Sequence, residues 1–243
     1  MNPRVLAVMR KEFREYRRNK FVIFTMAILP VIFLAIPVIT VLALPANVPE
    51  AARKVAVGQS LLMFFLIPMI LPTTVAAYAV IGEREQGTLE PVLTTPILDR
   101  ELLLGKALAA TVPAVALGWV MFAIFAVVVR LFAAQGVIDR VFRVEVFVAD
   151  ITLGPVFAVF AIWVALAISV RSTDVRVAQQ LAGLTILPVI GLSALLSFGV
   201  IAPTLTAYLA LAALVAAVDV LGWRIATRMF DRERLLTRYS RSD

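Results

Sequence analysis

Six apolar stretches, each about 20 residues or longer, occupy more than half of this 243-residue chain. A run of that length spans the hydrocarbon core of a bilayer, so the sequence predicts an all-α integral membrane protein with six transmembrane helices. The spans fall at about 21–44, 55–81, 106–132, 150–170, 180–201 and 203–223. Pro45, Pro49, Gly82, Pro96, Gly136 and Pro203 mark the joints. Spans five and six are separated by the short apolar run Ser197–Thr204, which suits a tight hairpin that barely leaves the membrane.

Hydrophobic residues make up 62% of the chain, above the roughly 45–50% of soluble domains. The spans use up the length, so residues 1–243 are expected to form a single membrane domain: a 1–20 interface helix, a 21–223 core of six spans and a 224–243 tail. There is no cysteine, which excludes disulfides, thiolate metal sites and cysteine nucleophiles. There is no histidine either, which excludes H-E-x-x-H zinc peptidases, serine–histidine proteases and histidine-ligated haem. The net charge of +7 is read as topology, not as nucleic-acid binding, because basic residues belong at the cytoplasmic ends of spans.

Lys and Arg placement sets the orientation. Arg4, Arg10, Lys11, Arg14, Arg17, Arg18 and Lys20 precede span one. The same side receives Arg84, Arg100, Lys106, Arg171, Arg176 and the arginines of the tail. The opposite side has Arg53, Lys54, Arg130, Arg140 and Arg143. Both termini are therefore expected in the cytoplasm, in agreement with an even number of spans. The basic leader is long and the first apolar run exceeds a signal-peptide core, so cleavage is not expected.

Residues 2–20 read as an amphipathic helix in the interface plane, with Leu6, Met9, Phe13 and Tyr16 at helical spacing and basic residues elsewhere. It is either a basic leader that fixes topology or a helix that also touches a cytoplasmic partner. After span two, Gly82 is placed to end the helix in a left-handed cap. Glu83, Gln86, Gly87 and Glu90 then share one face of a short helix that Pro91 helps to end. Thr95-Pro96 offers a cap and a first-turn proline for a new helix running through Asp99, Arg100 and Glu101 into span three.

Carriers and proton pumps need carboxylates or bases inside their spans. Here Asp219 stands near the cytoplasmic end of span six, where snorkelling or an arginine accounts for it. The mild polar groups, Ser60, Thr73, Thr74 and Thr111 among them, are expected to bond between helices. Pro30, Pro37, Pro68, Pro72, Pro113 and Pro188 can kink spans. In the outer segment 133–149, the alternation of Val141–Val148 favours extended or interfacial chain, and no function follows from it. Gly105-Lys106 is the nearest approach to a phosphate loop. It lacks the preceding glycine and sits at a span start, so ATP hydrolysis is not expected on this chain. No set of nucleophile and base, or of metal ligands, points to an enzyme.

Four segments are similar to the permease subunit of type-2 ABC exporters: Lys11-Glu12-Phe13-Arg14-Glu15; Gly82-Glu83-Arg84-Glu85-Gln86-Gly87-Thr88-Leu89-Glu90 with Leu93; Pro96-Ile97 through Gly105-Lys106; and Ser172 through Gln180 before span five. The resemblance covers nearly the whole chain. It implies a permease that dimerises, with a second copy or a homologous permease, and binds a separate cytoplasmic ABC ATPase carrying ATP and Mg; no cofactor is implied on this chain. It also implies a coupling helix between spans two and three, with Glu83, Arg84, Glu85, Gly87 and Glu90 as its ATPase contacts. Lys11, Glu12, Arg14 and Glu15 of the interface helix stand beside them. Cargo would leave along a dimer interface lined by spans two and five, in a prokaryotic plasma membrane. The few polar groups in the spans favour an amphipathic or apolar solute. The alternative is an anchoring or assembly subunit that recruits a cytoplasmic partner without transport.

Overall fold

The computed structural model describes residues 2–45, 47–85, 97–172, 174–197 and 202–229. Every regular element among them is an α-helix. They are α1 (Pro3–Tyr16), α2 (Lys20–Leu42), α3 (Glu50–Glu85), α4 (Asp99–Phe132), α5 (Gln135–Val141), α6 (Val144–Arg171), α7 (Val175–Gly183), α8 (Ile186–Ser197) and α9 (Leu205–Met229). Lipid offers no hydrogen bonds, and a helix bonds its backbone within one segment, so apolar runs of this length take this form.

The axis of the bundle is α3 packed on α6. Phe64 of α3 meets Phe122 and Phe125 of α4 at ring separations of 5.5 and 5.0 Å. Phe65 meets Phe157 of α6 at 5.7 Å. Such ring pairs contribute about 0.5–1.5 kcal/mol each beyond the area they bury. Small residues let the backbones approach: Ala109 and Ala114 of α4 and Ala149, Ala158, Ala161 and Ala165 of α6 are fully buried. Pro68 is seated between two glycines. A Cβ on Gly118 would lie 3.4 Å from its ring, and one on Gly154 would lie 3.9 Å away. The outermost helices, α2 and α9, keep only 17% of their most apolar windows buried, against 67% for α3.

Five helices are long and apolar enough to cross a membrane. The expected fifth span, 180–201, is instead two short helices, α7 and α8. The chain turns at Leu184-Thr185, where the Thr185 amide and hydroxyl both donate to the Ala182 carbonyl, at 3.1 and 2.7 Å. Pro188, with no N–H, cannot bond back across that turn. Residues 198–201 of the expected hairpin lie outside the described residues.

Other expectations are corrected. Gly82 does not end a helix: α3 runs through it to Glu85, because Glu83, Arg84 and Glu85 are good helix formers. Helix α4 starts at Asp99, not at Thr95-Pro96, since Ile97 and Leu98 precede it in non-helical chain and the Glu101 carboxylate accepts the Leu98 amide at 3.1 Å. Residues 86–96 lie outside the described residues. The alternating 141–148 segment is helical on both sides of a turn at Phe142-Arg143, because Val146, Ala149, Leu153 and Phe157 continue the helical stripe of α6 toward its N-terminus. The hydroxyls of Ser60, Thr73, Thr74 and Thr152 bond carbonyls of their own helices at 2.6–2.9 Å rather than a neighbouring helix. A carbonyl three or four residues back is within reach of each of these hydroxyls, whereas the buried Thr111 Oγ1 has no hydrogen-bond partner among the described residues.

Candidate coupling site

The amphipathic helix α1 lies against the start of α4. Asn2 caps α1 by accepting the Arg4 amide at 3.1 Å, and Pro3 follows in the first turn. The helix buries Val5, Met9 and Glu12, so its packed face is turned from the expected Leu6–Phe13 stripe, and Phe13 is left 36% exposed. The face that the sequence placed in the headgroups is thus partly taken up by another helix.

Three contacts lock the pair. At the first turn of α4, Glu101 takes a hydrogen bond from the Asn2 side chain and an ion pair from Arg4 at 3.5 Å. The Leu98 amide and then Arg4 hold this carboxyl below its usual range. One turn on, Gly105 admits α1 closely: a Cβ there would lie 2.6 Å from Val8 Cβ and 3.2 Å from the Val5 carbonyl. Beside it, Lys106 Nζ meets Glu12 Oε1 at 2.8 Å, with the two side chains 3% and 5% exposed. Lys11 adds a contact to Glu12 at 3.4 Å and to Glu15 at 3.1 Å. Removing one member of a buried ion pair leaves an uncompensated charge, which costs about 3–5 kcal/mol. Gly105-Lys106 thus lies within a helix, its lysine engaged by Glu12.

The expected contact residues divide as follows. Lys11, Arg14 and Glu15 face outward on α1, whereas Glu12 turns into the molecule. Glu83, Arg84 and Glu85 form the last turn of α3. Gly87 and Glu90 lie outside the described residues. The segment joining α3 to α4 therefore leaves and returns at the end of the bundle where α1 is clamped. Two buried carboxylates lie elsewhere. Asp219 accepts the Trp163 indole N–H at 3.1 Å, not an arginine, and Gly222 makes room for that ring. Asp150, which the sequence put at the edge of span four, is 3% exposed inside α6.

A bundle with five helices long and apolar enough to cross a bilayer defines a multi-pass membrane protein. The chain matches the ABC-2 family transporter protein family over residues 6–230, and it belongs to that family. It is a transmembrane permease of an ABC transporter, a class that works with an ABC ATPase subunit. A search of curated proteins finds no match.

Proposed function

We propose that this chain is the membrane subunit of an exporter in a prokaryotic plasma membrane, driven by ATP and Mg bound on a separate ATPase. It crosses the membrane six times, with α7 and α8 together as the fifth crossing and both termini in the cytoplasm. It pairs with a second copy or a homologous permease. Glu83, Arg84, Glu85, Gly87 and Glu90 meet the ATPase, and the outward-facing Lys11, Arg14 and Glu15 of α1 stand beside them; Glu12 belongs to the clamp with Lys106.

The observation that carries this reading is the position of the insert. It joins α3, the most buried helix, to α4, and α4 is locked to α1 by the Glu12–Lys106 pair. A displacement of the insert therefore acts on three helices together. ATP works by making one permease conformation more favourable than the other. Moving such an equilibrium from 1:99 to 99:1 takes about 5.5 kcal/mol of differential binding. Because the described part of α3 is mostly buried within the subunit, the exposed faces of α7 and α8 are the larger share of the proposed cargo route. The cargo is an amphipathic or apolar solute.

Co-reconstitution of the chain and its ATPase into vesicles tests the transport reading against the anchoring one. ATP-dependent movement of a labelled amphiphile toward the outer side is expected. A stable complex that moves no member of a broad panel supports anchoring instead.

A further inference from the structure

At the bundle end opposite α1, the starts of α3, α6 and α9 and the short α5 line an open-sided cavity of about 50 Å³. On a comparable measure a single water needs about 10–15 Å³, so the space suits a group the size of a phosphate. Lys54, Arg140 and Arg143 line it, with Glu145 and Tyr208, and its apolar side is formed by residues such as Leu61.

Three features set it apart from an ordinary rim. Basic residues are disfavoured on the translocated side. Yet three of the five that the charge pattern puts there converge on this one cavity from positions about 90 residues apart in the chain. Of the three, Arg140 is neutralised by Glu50 at 3.0 Å, while Lys54 and Arg143 have no carboxylate within ion-pair distance among the described residues. Tyr208 is only 5% exposed and lines the cavity. Next to the cavity, Arg53 Nε is buried without a partner, its guanidinium lying against Gly136.

We infer that this cavity binds the phosphate group of an anionic phospholipid from the outer leaflet, with Lys54 and Arg143 as charge partners and Tyr208 as hydroxyl donor. The apolar wall lies where the glycerol and upper acyl chain would run. Glu145 opposes the charge and favours a headgroup that also carries hydroxyls over a bare anion. The inference is independent of the ATPase; only the choice of leaflet depends on the proposed orientation.

The test is native mass spectrometry of the full-length chain, incubated with equal amounts of phosphatidylglycerol and phosphatidylcholine. Preferential retention of phosphatidylglycerol is expected. It should fall about fivefold for each of Lys54→Gln and Arg143→Gln, in keeping with the contribution of one basic residue at a lipid surface. Tyr208→Phe should lower it less. Arg130→Gln, at the same end but away from the cavity, and the charge-preserving Lys54→Arg should leave it unchanged, which separates binding from folding. Equal retention of the two lipids by the wild type, or an unchanged preference in the Lys54→Gln/Arg143→Gln variant, overturns the inference. So does displacement of the lipid by inorganic phosphate alone, which would make this a site for free anions.

Discussion

The Glu12–Lys106 pair joins residues 94 positions apart, and it decides how α1 sits. Its buried geometry gives a signed prediction. Glu12→Gln alone should lower stability by about 3 kcal/mol, because it removes the carboxylate that the buried Lys106 meets at 2.8 Å, and Lys106→Met should cost less, because Lys11 stays 3.4 Å from Glu12. The double substitution should recover most of that loss, since replacing both partners removes the uncompensated charge. Thermal unfolding of the detergent-solubilised chain reads this directly; additive losses in the double variant would contradict it. Gly105 is the second sensitive position. Gly105→Val drives a side chain into Val8 and the Val5 carbonyl, so α1 should lift from α4 and become protease-sensitive while the chain still inserts. Neither role is visible in the sequence by itself. Lys106 is one basic residue at the start of a span, and Glu12 stands among arginines as though on a solvated face. Only the fold brings them together. The same holds for Asp219: an aspartate near Arg224 invites an arginine partner, and the indole of Trp163 takes it instead.

Element by element, the long helices were legible because length and apolarity alone decide them in a bilayer. The amphipathic character of α1 was equally legible, but which of its faces is covered was not, because Val5 and Val8 are as apolar as Leu6 and Phe13 and only α4 chooses between them. The expected fifth span, 180–201, differs from its sequence reading for a related reason. Its composition is uniformly apolar, and hydropathy does not register a turn made by one threonine and one proline. Replacing both breakers, as Thr185→Leu with Pro188→Ala, should join α7 to α8. The chain has no cysteine, so spin labels placed through Leu181→Cys and Leu195→Cys report their own separation. In the double variant the two backbones should stand about 21 Å apart, the rise of a continuous helix over that stretch. An unchanged separation would mean that the break is imposed by packing against α3 rather than by these two residues.

On the scale of the whole molecule, α3 and α6 form the packed axis, α2 and α9 offer apolar faces outward, and α1 is locked to α4 at the end where the insert leaves and returns. Such a chain has little polar chemistry within its spans and is driven from outside the bilayer. The proposed drive enters at the insert, so Glu83→Lys with Glu85→Lys should abolish co-purification of the ATPase while leaving insertion and the α1–α4 clamp intact. A retained complex with stimulated ATP hydrolysis would remove the insert from the mechanism. The most direct measurement is affinity purification of the full-length chain from its native membrane, with identification of what accompanies it. A Walker-motif ATPase in roughly stoichiometric amount is expected. An intact chain recovered without one would contradict the exporter reading and leave the Glu83–Glu90 segment without its role.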